Sequence, residues 1–250
     1  MKILTVADQE EMSRRAAEMI IDLVRLKPSA VLGLATGGTP EGTYRLLALD
    51  HRKNGTDYRE VRTVNLDEYA GLKPEDPNSY HTYMETHFFQ YVNIPSEQHF
   101  LPDGTAASLN EECEDYDRLI DNLGGVDLQL LGIGRNGHIG FNEPGTAFNA
   151  GTHVVKLSES TRQANARFFG SVQEVPERAI TMGIGTILKS RAILLLVSGP
   201  SKAEAMSRLL AGSEPDSNFP ASALISHPNV TVIADAAAIS AAKRKVGSDA

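Results

Sequence analysis

The chain has 250 residues and a mass of 27.0 kDa, with 41% hydrophobic and 22% charged positions, a size and composition that bury a core and exclude a disordered or fibrous protein. Twenty-four Lys+Arg against 32 Asp+Glu give a net charge of −8, with no basic stripe of the kind a nucleic-acid binder needs, so nucleic acid is not an expected partner. The longest apolar run, Ala192 to Val197, is far shorter than the roughly 20 residues that cross a bilayer, and we expect no membrane contact and a soluble, cytoplasmic protein.

Short apolar runs rich in β-branched residues alternate with stretches of helical period, a pattern of βαβ units. The expected fold is a single α/β domain over residues 1–250, Rossmann-like, with an open, mostly parallel sheet and helices on both faces. The first strand is Ile3 to Val6. In the first helix Met12, Ala16, Met19, Ile20, Leu23 and Val24 repeat at 3.6 residues, Asp8 and Glu11 have capping-box spacing, and Pro28 closes it. Further strands are expected at Ala30 to Leu34, Val61 to Leu66, Val126 to Leu131, Ala192 to Val197 and Val230 to Ala234. Helices are expected near 40–53, 79–91, 106–123, 159–169, 201–211 and 236–243, with a frayed end from Lys243 to Ala250. The single Cys113 permits no internal disulfide. The seven histidines lack metal-ligand spacing, so neither a metal nor a cofactor is expected.

Ligands of open parallel sheets bind beyond the carboxyl ends of strands, which singles out three loops. The first contains Thr36, Gly37, Gly38, Thr39 and Pro40. Thr39 can cap the next helix, Pro40 suits its first position, and the glycines let backbone N–H groups approach an anion. This reads as a phosphate seat or as a plain strand-to-helix turn. The second places Asp67 and Glu68 side by side at a strand exit, where burial raises a carboxylate's pKa and suits it to accept a proton. The alternative is that Asp67 caps a turn and Glu68 faces solvent.

The third loop runs from Gly132 to Gly145 and opens with Gly132, Gly134 and Gly137. These formally match a dinucleotide fingerprint, but Gly140, Pro144 and Gly145 prevent the helix that such a fingerprint must open. What remains is His138 with Glu143 in one tight loop, a carboxylate that can orient an imidazole for proton transfer. The three loops together are equipment for moving protons around a phosphorylated polar metabolite.

The blocks Leu32 to Pro40, Asn65 to Leu72, Gly132 to Pro144, Thr161 to Phe169, Ser198 to Lys202 and Pro220 to Pro228 closely resemble the glucosamine-6-phosphate deaminase family, over Met1 to about Val246. The resemblance implies conversion of glucosamine 6-phosphate and water to fructose 6-phosphate and ammonia. It implies Asp67 as the base that moves the C2 proton to C1, and His138 as the ring-opening group, oriented by Glu143 and Asn136. It further implies a phosphate held on Thr36, Gly37, Gly38 and Thr39, with charge from Arg167 and Lys202. A dianionic substrate needs such local cations whatever the net charge.

The chain departs from the family in two respects. Asn136 stands where well-known relatives carry Asp, which removes one ionisable group from the relay. His153 and Val155 stand where allosteric relatives place basic residues, so a monomer without an effector is expected. Arg167 lies in a segment, about 158–182, expected to act as a lid. Two other readings are a 6-phosphogluconolactonase-type hydrolase and a non-catalytic sugar-phosphate sensor. The lactonase pattern carries Arg at the position of Tyr69 and differs after His138, and no residues are left for a sensor's DNA-binding helices.

Overall fold

The computed structural model describes residues 1–240, apart from the side chains of Ser160, Ala164 and Phe168. β1 (Lys2–Val6) leads into α1 (Gln9–Leu26). The expected cap is present: the Asp8 side chain accepts from the Glu11 N–H at 2.9 Å, while Glu11 Oε2 accepts from the Ala7 N–H at 2.8 Å. β2 (Val31–Leu34) precedes α2 (Glu41–Asn54), and β3 (Arg62–Asn65) precedes a short β4 (Asp67–Tyr69). Then come α3 (Tyr80–His87), β5 (His99–Phe100), α4 (Leu109–Asn122), β6 (Leu128–Gly132), β7 (His153–Lys156) and α5 (Glu159–Asn165). β8 (Arg178–Thr181), α6 (Ile184–Leu188), β9 (Ile193–Val197), α7 (Ala203–Ala211) and β10 (Val230–Asp235) complete the order.

Among the described residues seven strands form one parallel sheet in the order β1-β10-β9-β6-β2-β3-β5. Helices cover both faces, because neighbouring strand residues alternate between two cores. Leu32, Leu34, Leu128 and Leu130 meet Met12, Ile20 and Val24 of α1, with Tyr44, Leu47 and Met84 from α2 and α3. Val31, Val64, Leu131 and Leu195 meet Tyr116 and Ile120 of α4, Ile184 and Ile187 of α6, and Met206 and Leu209 of α7. The α/β architecture expected from the sequence is therefore the observed one.

Several local expectations are corrected. The run Val61 to Leu66 does not stay one strand: Leu66 separates β3 from β4, and β4 joins β8 and β7 in a second, antiparallel sheet. β4, β7 and β8 were not anticipated, since each is short and carries charged residues (Asp67 and Glu68, Lys156, Arg178) in place of the apolar run that marks β2. Thr39 is not the cap of α2. Pro40 already has helical backbone angles and occupies the cap position, and no side chain caps the helix. The segment expected as a lid, 158–182, includes at its end Ala179, Ile180 and Thr181 of β8, which are fully buried between β4 and β7 and cannot belong to one. The helix expected at 159–169 is α5 followed by a 3₁₀ turn, Ala166–Phe168. A helix does start at 236, whereas its expected end and the tail from Lys243 lie outside the described residues.

Candidate active site

β2 lies between β6 and β3 in the sheet, so the loops that leave these three strands share one edge. The first loop is tied down through its carbonyls. The Tyr44 hydroxyl donates to the Ala35 carbonyl at 2.6 Å, the Tyr83 hydroxyl to that of Gly37 at 2.7 Å, and Gln9 Nε2 to that of Gly38 at 3.2 Å. The side chain of Thr36 lies beside the Tyr80 hydroxyl. Among the described residues no acceptor meets the N–H groups of Gly37, Gly38 and Thr39, which leaves them for an anion.

Asp67 and Glu68, adjacent in sequence, have opposite situations. Glu68 is buried and hydrogen-bonded throughout: it accepts from the N–H of Tyr69 at 2.7 Å, of Tyr80 at 2.9 Å and of His81 at 3.2 Å, and its Oε2 lies 3.0 Å from His81 Nδ1. It thus holds the first turn of α3, the role of a capping carboxylate. Asp67 is also buried, yet its carboxyl accepts no hydrogen bond from the described residues. Burial, and then the charge of Glu68, push its pKa up from 3.8 to about 8. The alternative with Asp67 as a turn cap and Glu68 in solvent does not hold for either residue.

Asp67 faces the third loop. A methyl group on Gly140, where φ is +56°, would lie 3.6 Å from Asp67 Oδ2 and only 2.8 Å from Thr181 Oγ1, so the loop passes close over β4 and β8 only as glycine. The Phe141 N–H donates to Thr181 Oγ1 at 3.1 Å, and Asn142 Nδ2 donates to the carbonyls of Ile139 and Met182, both at 2.8 Å. The antiparallel sheet is what registers the His138 loop against Asp67.

Inside that loop His138 Nδ1 lies 2.7 Å from Asn136 Oδ1, and Asn136 Nδ2 donates to Glu143 Oε2 at 2.6 Å. The direct separation of His138 Nδ1 and Glu143 Oε1 is 3.8 Å, so the amide bridges the pair. An amide oxygen can only accept, so His138 carries its proton on Nδ1 and leaves the Nε2 lone pair available. Gly134 makes room for the ring: a Cβ there would lie 2.2 Å from its atoms. Burial holds His138 below the ordinary imidazole value, opposed by Glu143 and reinforced by the Lys202 ammonium.

Lys202 ends a 3₁₀ turn, Pro200–Lys202, at the exit of β9. Asp235 Oδ2 holds that exit by accepting from Ser198 Oγ at 2.6 Å and from the Gly199 N–H at 2.9 Å. Burial, followed by Arg135 and Arg167, lowers the Lys202 pKa, so three cations crowd one place in a chain of net charge −8. Repulsion of this kind is tolerated where an anion is to be received. Arg135 was not among the residues selected from the sequence, although it directly precedes Asn136. The fold thus brings Asp67, Asn136, His138, Glu143, Lys202 and Arg167 to the sheet edge that carries the loop of Thr36, Gly37, Gly38 and Thr39.

A family model described as glucosamine-6-phosphate isomerases/6-phosphogluconolactonase matches residues 7–233. The chain is 59% identical to a glucosamine-6-phosphate deaminase of Bacillus velezensis over 235 residues, 94% of this chain and 97% of that one. It is 59% identical to the deaminase of a Geobacillus species over 249 residues, 98% and 99% of the two chains. A solved structure described as a monomeric glucosamine-6-phosphate deaminase matches with a TM-score of 0.95 at 56% identity, covering 96% of this chain and all 100% of that one. The 6-phosphogluconolactonase of Trypanosoma cruzi shares the fold alone, at a TM-score of 0.76 and 20% identity over 96% of both chains. With a family model spanning most of its length and relatives of this identity, the chain belongs to the glucosamine-6-phosphate isomerase/6-phosphogluconolactonase family.

Proposed function

We propose that the protein converts glucosamine 6-phosphate and water to fructose 6-phosphate and ammonia. One observation carries this reading: an unbonded, buried carboxylate, an imidazole of fixed tautomer and a cluster of three cations meet at one sheet edge. The substrate phosphate rests on the N–H groups of Thr36, Gly37, Gly38 and Thr39, with Arg167, Lys202 and Arg135 supplying charge. His138 Nε2 takes the C1 hydroxyl proton and gives it to the ring oxygen, which opens the ring. Asp67, once ionised, removes the C2 proton. As it does so, the substrate's 2-ammonium group passes a proton to the C1 oxygen; the resulting enol-amine is protonated at C1 by the same carboxyl, and the C2 iminium so formed adds water and releases ammonia. Each step is a proton transfer or an addition of water, so the reading calls on no cofactor or metal.

The same reading takes residues 1–250 as one domain, because the chain passes from β3 to β4 through the single residue Leu66, whose carbonyl accepts from the Met182 N–H just beyond β8 at 2.7 Å. It takes the protein as a monomer, as is said of the solved relative at 56% identity. It places the protein in the cytoplasm, since a dianionic phosphosugar does not cross a bilayer and is consumed where it is made. The test is ammonia release from glucosamine 6-phosphate, run beside hydrolysis of 6-phosphogluconolactone. Ammonia release with no lactone hydrolysis is expected, and lactone hydrolysis alone would overturn the proposal.

A further inference from the structure

Glu143 is the point at which the His138 loop meets a different part of the chain. Its Oε2 receives Asn136, whereas its Oε1 accepts from Thr161 Oγ1 at 2.6 Å and lies 3.3 Å from Ser158 Oγ. Thr161 is a buried residue of α5, and Ser158 caps that helix by accepting from the Thr161 N–H at 3.2 Å. A carboxylate can only accept, so Thr161 donates to Glu143. On the other side His138 donates to Asn136 and Asn136 donates to Glu143. Donors from two separate parts of the chain therefore converge on one carboxylate, each bond polarising the next.

A threonine in the first turn of a helix ordinarily satisfies groups of its own turn. Thr161 instead reaches a residue 18 positions away. α5 is fastened to the segment that succeeds it, because the Arg162 guanidinium donates to the carbonyls of Val172 at 2.9 Å and Val175 at 3.0 Å. Asn165 of the same helix lies close enough to act on the hydroxyl of Tyr69, two residues from Asp67. The segment that carries Arg167 is thus joined to the proton-transfer groups through the Thr161 side chain.

We propose that Thr161 is a positioning residue whose hydroxyl holds Glu143 in the rotamer that aligns Asn136 and His138, so that the relay depends on a donor supplied by α5. The effect on rate rests on the deaminase reading above; the effect on the His138 tautomer does not.

The test compares Thr161→Val, which keeps the shape and removes the donor, with Thr161→Ser, which keeps the donor. Thr161→Val should lower kcat about tenfold, the fold-change one charge-assisted hydrogen bond is worth, with KM within about twofold. Thr161→Ser should keep most of kcat. In a Glu143→Gln background Thr161→Val should add little, since coupled residues are not additive. Nitrogen NMR of the imidazole, read without substrate, should show His138 held as the Nδ1–H tautomer in the parent and Thr161→Ser, and a mixture of tautomers in Thr161→Val. If Thr161→Val does not fold, Thr161→Ala serves with the same expectations. Parental kcat and an unchanged tautomer in the donor-less variant would overturn the proposal, as would additive losses in the cycle. Absence of ammonia release from the parent would sink the deaminase reading while leaving the NMR comparison to decide this one.

Discussion

Asp67 owes its character to what its neighbour does not share with it. Glu68 takes the hydrogen bonds available at the start of α3, while Asp67 lies buried with none and with a negative charge beside it. Its pKa of about 8 in the folded protein stands above the ordinary 3.8, so the folded state holds this proton across the interval between those values. The associated stability is present below the lower value and is lost as pH rises through about 8. Asp67→Asn should therefore melt at a higher temperature than the parent, by a margin that widens from pH 5 to pH 8, in thermal scans. The same change removes the proton acceptor and should cost roughly 10²–10⁴ in kcat. In the parent, kcat/KM should rise with pH through the Asp67 ionisation. Asn136 matters at this scale as well, since its amide accepts on one side and donates on the other. Asn136→Asp replaces the donor by a second carboxylate against Glu143, and two carboxylates at that separation share a proton. The pH profile of kcat should gain an ionisation that the parent lacks.

At the scale of elements, α3 and the turn after β9 set the site. Glu68→Gln leaves one acceptor and adds a donor where three backbone N–H groups point, and should destabilise the fold by about 2–4 kcal/mol in urea titrations. It also removes the charge that helps raise Asp67, so the rise of kcat/KM should move to lower pH. A destabilised variant with an unmoved profile would mean that burial alone sets Asp67. The cations divide between two elements, Arg167 in the 3₁₀ turn after α5 and Lys202 after β9. Arg167→Ala and Lys202→Ala should each weaken substrate binding by about 1.5–3 kcal/mol, and neither should weaken the binding of the unphosphorylated sugar. Equal losses for both sugars would place the phosphate elsewhere.

For the whole molecule the question is whether a second ligand can act on the first. An effector site needs contacts that differ between two states, with a coupling of about 1–3 kcal/mol. β7 offers His153, whose Nδ1 lies 2.9 Å from the Gly151 carbonyl, and the apolar Val155, which do not form a pair of cations for a dianion. Rate against glucosamine 6-phosphate should be hyperbolic and indifferent to N-acetylglucosamine 6-phosphate, and the protein should sediment as a monomer. Sigmoidal curves made hyperbolic by the acetylated sugar would locate an effector site on other residues.

The parallel sheet, its two helical layers, the cap of α1 and the three loops at strand ends were legible in the chain, because alternation, helical period and glycine placement are local properties. Asp67 and His138 stood out for the same reason, each lying just beyond an apolar strand, whereas Lys202 and Arg167 came only from the family resemblance. The sequence did not reveal that β4, β7 and β8 form a sheet of their own, since strands of three or four residues are held by partners distant in the chain rather than by their own pattern. Nor did the local pattern, apart from the family resemblance, separate Asp67 from Glu68, two adjacent carboxylates whose roles depend on which of them the start of α3 reaches. Arg135 looked like any loop arginine until Lys202 came beside it, and Thr161 like any residue in a first helical turn until its hydroxyl met Glu143. Residue type and spacing determined which chemistry the chain could carry; only the tertiary contacts decided which groups are buried, which are already bonded and which remain open to a substrate.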